Sequence, residues 1–169
     1  MKKASSAINP AESTVESLWS KTEMDPQQAA LVQRTFERAA RIGPLFSATF
    51  YNELFLIEPP LKRMFSGDMI RQGEQLMMFL AYIVHGLDRL DEMLPAVRDL
   101  GVRHVGYGVE ARHYAMVGTA LIRTFRHELG ADFTPEARVA WTAAYKLMSD
   151  AMCEAAYGVS ASPAASLQR

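Results

Sequence analysis

A chain of 169 residues, 49% hydrophobic and 22% charged, has the size and composition of one soluble domain with a sizeable core. Its net charge of −1 and the lack of any basic block exclude a nucleic-acid or anionic-membrane footprint. A lone cysteine, Cys153, excludes a disulfide framework and a multi-cysteine zinc site. The opening MKKASSAINPAESTVESLWSK lacks the apolar run of a signal peptide, and no segment reaches the roughly 20 apolar residues of a membrane span. A cytoplasmic location is the resulting expectation.

Residues 1–24 are rich in Ser, Ala and Glu and read as a flexible extension, 25–158 as one helical domain, and 159–169 as a flexible tail. Within the extension, Val15, Leu18 and Trp19 fall on one helical face, which leaves open whether it docks on the body. The first helix of the body opens with Asp25 as cap and Pro26 behind it. It lays Leu31, Val32, Phe36 and Ala39 on one face and ends at Gly43. A second restarts at Pro44, with Leu45, Thr49, Leu54 and Phe55 near one face, and stops before Pro59-Pro60. PLKRMF makes one turn. Asp68 then caps a helix whose second half, Leu76 to Val84, is apolar nearly all round and is expected to be buried on more than one side.

Leu87, Leu90, Leu94, Val97 and Leu100 follow in helical rhythm until Gly106 and Gly108 end the run. Two long amphipathic segments complete the chain, the last begun by Thr134-Pro135. Strand alternation is absent, so the fold class is all-α. Unequal helices and abrupt corners favour crossed packing over an up-down bundle, and crossed helices can leave a pocket.

The four histidines separate by context. None has a second His or Cys three or four residues away, which leaves little support for a helix-borne zinc or di-iron site. His85 sits at a helix end, where its charge suits the dipole. His113 lies in a first helical turn, where neutral imidazole is tolerated, and His127 shares its turn with Arg123 and Arg126. His104 differs, because Val97, Leu100, Gly101 and Gly108 surround it with apolar or missing side chains. Two uses compete for such a residue: a core histidine satisfied by a carbonyl, or the axial ligand of a haem, whose porphyrin supplies four further nitrogens.

The stretches FYNELFLIEPPLKRMF, RQGEQLM, LGVRHVGYGV, HYAMVG and AWTAAY run in one order at consistent spacing. Over residues 26–157 the chain resembles the bacterial single-domain globins, related to the globin half of flavohaemoglobins. The resemblance implies a globin fold with crossed helices around a pocket for haem b, its iron held by His104. Leu100 and Val109 would flank that ligand. Phe65 would wedge against the haem face, Tyr51 and Gln72 would be the distal hydrogen-bond donors, and Leu76 would close the ligand pocket. A competing register would substitute Gln75 for Gln72 and point Met78 and Phe79 at the ligand. Arg103 is the first candidate for a haem propionate, followed by Arg63 and Arg112.

Relatives of the flavohaemoglobin type bond the proximal histidine into a tyrosine–glutamate pair. The tyrosine corresponds to Tyr114, but the glutamate position holds Ala156, and Glu154 lies about 200° away around the helix. The anionic push on the imidazole is therefore expected to be missing, with His104 Nδ1 donating to a backbone carbonyl. No Gly-rich dinucleotide fingerprint accompanies the domain. The implied activity is O2 binding, with NO and CO as further ligands, or NO detoxification with a separate reductase. A haem-based gas or redox sensor without turnover is the alternative. Self-association stays open: Met77, Met78 and Phe79 offer more apolar surface than one buried face requires.

Overall fold

The computed structural model describes residues 24–159 and residue 161. Six α-helices carry the domain: α1 Pro26–Ile42, α2 Pro44–Ile57, α3 Met69–His85, α4 Leu90–Gly106, α5 Ala111–Leu129 and α6 Pro135–Tyr157. Two 3-10 segments, Pro59–Met64 and Gly130–Asp132, turn the corners after α2 and α5. No strand occurs among the described residues. The Val15, Leu18 and Trp19 face lies outside them.

Local chemistry sets the helix starts. The Asp25 carboxylate accepts from the Gln27 and Gln28 amides at 2.7 and 3.3 Å. Asp68 accepts from Ile70 and Arg71, and the Thr134 hydroxyl from Ala137 at 3.2 Å. Each such cap satisfies donors that a first turn leaves orphaned, worth about 1 kcal/mol. At α5, Glu110 and His113 form a reciprocal box in which His113 Nδ1 accepts the Glu110 amide at 3.0 Å.

The core lies where α2, α5 and α6 meet. The Phe125 ring centroid is 4.9 Å from Phe46, 4.3 Å from Trp141 and 5.2 Å from Phe133, a fully buried aromatic cluster. Two expectations about exposure are corrected. In α2 the buried positions are Phe46, Ser47, Phe50, Tyr51 and Leu54, while Leu45 is 60% exposed. The helix is apolar on nearly every side, so periodicity could not choose its inner face. In α3 one side is buried, through Gly73, Leu80, Ile83 and Val84, whereas Met78 is 64% and Tyr82 49% exposed.

The pairing of helices positions the site. α3 packs on α1 and α2; α4 packs on α6. Although consecutive in the chain, α3 and α4 have no substantial contact with each other. The α4–α6 seam is unusually close: a Cβ on Gly101 would stand 2.5 Å from the Met152 carbonyl oxygen and 2.7 Å from its Cα. Both are backbone atoms and cannot rotate away. Gly101→Ala should therefore destabilise the apo-protein by about 2 kcal/mol or more. Gly106→Ala, with nothing within 4 Å of the new methyl, should change stability by no more than about 0.5 kcal/mol. Urea unfolding of the two variants checks the contrast; equal effects would mean that α4 does not sit on α6 this tightly.

Candidate functional site

The sequence-predicted residues form two groups, one on α2, the Pro59–Met64 corner and α3, the other on α4 and α5. In the first group Tyr51 is buried, its ring centroid 5.3 Å from Phe65 and 6.0 Å from Phe55; Phe55 and Phe65 are 5.6 Å apart. Phe50 is buried as well and meets Tyr51 edge-on at 5.1 Å, so both neighbours point inward. The Tyr51 hydroxyl donates to the Gln72 backbone carbonyl at 3.3 Å. That is a long bond, weak enough to exchange for a better acceptor. Burial pushes the Tyr51 phenol up to about 12, so the group stays a protonated donor throughout the neutral range. Gln72 and Leu76 are half-buried one turn apart; Gln75 is exposed.

In the second group His104 is half-buried near the end of α4. Its Nδ1 lies 2.8 Å from the Leu100 carbonyl oxygen. A carbonyl can only accept, so the proton sits on Nδ1 and Nε2 keeps its lone pair. Burial lowers the His104 pKa, the Leu100 carbonyl works against that shift, and Arg103 adds to it. The imidazole is thereby favoured in its neutral, ligating form. Tyr114 is buried with its ring 6.4 Å from that of His104, and its hydroxyl has no partner. Ala156 offers no polar atom, and Glu154 is exposed.

The two groups adjoin at the corner: Met64 Cε, beside Phe65, lies 3.9 Å from where a side chain on Gly108 would begin. Phe65, Leu76, Leu100 and Val109 are all apolar yet only half-buried. That combination marks the walls of an opening rather than a filled core. Among the described residues no three His, Cys, Asp or Glu side chains converge on a possible metal site.

The arginines differ in their commitments. Arg103 pairs with Asp99 at 3.0 Å, and Arg112 is held by Glu110 at 2.8 Å and Glu58 at 3.7 Å. Arg63 stands exposed on the corner before Phe65. A separate groove of about 770 Å³ runs between α1, α2 and α3 on the far side of Tyr51, lined by Phe36, Ser47, Met77 and Met78 among others. It contains neither His104 nor Tyr114.

Three contacts escaped the sequence reading. Phe55 completes the aromatic trio and was visible only as the residue one turn past Tyr51. The Tyr145 hydroxyl donates to the Tyr114 carbonyl at 2.6 Å, and that of Tyr157 to the Val109 carbonyl. Both reach from α6 to positions far away in the chain, and no local pattern signals them.

Comparison with known proteins gives a consistent outcome. The Globin family profile matches residues 48–152. The chain is 31% identical over 130 residues to a flavohemoprotein of Bordetella parapertussis, covering 75% of this chain and 32% of that protein. It is 30% identical over 133 residues to a flavohemoprotein of Chromobacterium violaceum, covering 76% and 33% respectively. Its structure is similar to that of a flavohemoglobin from Malassezia yamatoensis with bound FAD and heme. The TM-score is 0.64 at 25% identity, over 79% of this chain and 37% of the other. The chain thus spans about one third of the length of these relatives.

The unpartnered Tyr114 hydroxyl gives a direct test of the second group. A buried hydroxyl without a partner carries an uncompensated desolvation cost. Tyr114→Phe should raise the stability of the apo-protein by on the order of 1 kcal/mol. A clear loss of stability in thermal or urea melts would mean that this hydroxyl is bonded after all.

Proposed function

This chain belongs to the globin family, and from that premise we propose that it holds haem b through His104 and binds O2 on the opposite face, between Tyr51 and Gln72. One observation carries the reading. A neutral imidazole with a free Nε2 stands on α4, across an apolar-walled separation from α3, with no second ligating side chain nearby. Such a site suits a metal that arrives with its own equatorial donors. Haem supplies these, together with an iron that takes a diatomic ligand opposite the histidine.

The chain's own residues do the rest. Leu100 orients the imidazole through Nδ1, fixing which nitrogen is presented. Phe65, Leu76, Leu100 and Val109 exclude water from the two faces. Tyr51 offers a phenol O–H that its high pKa keeps protonated, and the Gln72 side chain offers an amide N–H. Both are aimed at a ligand whose oxygen gathers negative charge, which distinguishes O2 from CO. For the propionates, Arg63 has the fewest competing carboxylates, ahead of the paired Arg103 and Arg112.

Two donors favour slow O2 release, which suits NO detoxification fed by a separate reductase better than O2 delivery. Support comes from the flavohemoprotein relatives, although this chain matches only about a third of their length.

Two experiments test the proposal. His104→Ala should abolish stable haem uptake, read from the absorption spectrum of the reconstituted protein, while Ala at His85, His113 or His127 should not. Loss of haem from one of those three variants alone would displace His104 from the role. Tyr51→Phe should speed O2 release about ten-fold, the equivalent of about 1.4 kcal/mol, and alter CO release much less. An unchanged O2 off-rate in stopped flow would remove Tyr51 from the ligand site and with it the structural basis for NO detoxification.

A further inference from the structure

We propose that Tyr157 is a positioning residue for His104, acting through the Val109 carbonyl. The inference rests on the reading of His104 as the iron ligand. It starts from how little else holds that residue in place. Every residue from Val102 to Gly108 other than His104 is exposed, and His104 itself is half-buried. The stretch is therefore held at its ends.

At the leading end, Gly101 lies against the Met152 backbone, three residues before the histidine. At the trailing end the helix unwinds through Gly108, whose φ of +78° reverses the chain. Here the Tyr107 and Val109 amides both donate to the His104 carbonyl at 3.1 Å, and the Gly108 amide donates to Val105 at 3.0 Å. The peptide around Val109 is thus bonded directly to the backbone of the ligand. The carbonyl of the same Val109 accepts the Tyr157 hydroxyl from the end of α6.

α6 consequently grips the His104 segment twice, at Met152 before it and at Tyr157 after it. Positions 152 and 157 are five residues apart, about 7.5 Å along a helix, so the two grips bracket the histidine from one rigid element. Ala156, next to Tyr157, stands where the resemblance leads one to expect a carboxylate on the proximal side. Tyr157 keeps a link between α6 and this side, but as a neutral hydroxyl on the backbone instead of a charge on the imidazole. It fixes position without adding electron density.

The test is Tyr157→Phe, which keeps the ring and deletes only the donor. In the haem-loaded protein, transfer of haem to an acceptor apoglobin should accelerate about five-fold, the loss expected for one hydrogen bond. The iron–histidine stretching band of the ferrous form in resonance Raman should shift or broaden as the imidazole gains freedom. In the apo-protein, exchange of the Val109 amide should quicken by a similar factor while amides in the α2–α5 core stay unchanged. A variant that melts earlier yet keeps the wild-type haem-loss rate and Raman band would make Tyr157 a helix-end staple only and overturn the proposal. If the variant does not fold, exchange in the unmodified apo-protein decides: a Val109 amide as labile as a free loop amide refutes the clamp, and a protected one supports it. Failure of the underlying reading is separate, because it appears in the wild type as haem uptake that survives loss of His104.

Discussion

The geometry of the site follows from one packing choice: α4 rests on α6 and not on α3. The contact is made backbone to backbone at Gly101 and Met152, at a distance no side chain could occupy. Because that seam commits one side of α4, the helix cannot also close against α3, which is committed to α1 and α2. The space between α3 and α4 is thus a consequence of close packing elsewhere. Apolar residues along it remain half-buried, which would be costly in a domain that needed them for its own core. Leaving Phe65, Leu76, Leu100 and Val109 incompletely covered forgoes on the order of 1 kcal/mol for each, at roughly 25 cal/mol per Å². A bound flat apolar group would recover much of that.

The local features of the fold were legible in the sequence and the global ones were not. Asp25, Asp68 and Thr134 cap their helices because capping needs only a side-chain oxygen and amides two or three residues on. Pro59 and Gly43 bound α2 for equally local reasons. The inner face of α2 was illegible: with Leu45, Phe46, Phe50, Tyr51, Leu54, Phe55 and Leu56 distributed around the helix, every direction is apolar. Only the neighbouring helices decide that Phe46 and Tyr51 go in and Leu45 and Leu56 stay out. α3 misled for the same reason, since an all-round apolar run can arise from a buried helix or from one bordering a groove, as Met77 and Met78 do.

The candidate site was legible mainly through family resemblance. Composition and spacing left His104 between a core histidine satisfied by a carbonyl and a haem ligand. The structure joins the two descriptions, because the Leu100 carbonyl satisfies Nδ1 while partial burial leaves the ring accessible. A hydrogen bond at one nitrogen defines the role of the other, so the two readings were never exclusive. The contacts from Tyr145 and Tyr157 had no sequence signature: they span 31 and 48 residues of chain and end on backbone carbonyls, which carry no residue identity.

The proximal side also bears on which chemistry the proposed site favours. An imidazole that donates to a carboxylate gains anionic character and pushes electron density toward its metal. Here the acceptor is the neutral Leu100 carbonyl, the neighbouring Tyr114 hydroxyl is unpartnered, and its ionisation is opposed first by burial and then by Tyr157 and Cys153. Cys153 is itself buried, and burial, reinforced by Asp150, raises its thiol to about 11. No group beside His104 is disposed to become an anion. Strong electron donation helps cleave an O–O bond, whereas holding O2 intact requires donors on the other face, where Tyr51 remains protonated. The division of labour in the proposed site follows: a neutral, mechanically fixed histidine on one side, and protonated hydrogen-bond donors on the other. That arrangement favours retaining a diatomic ligand over breaking it.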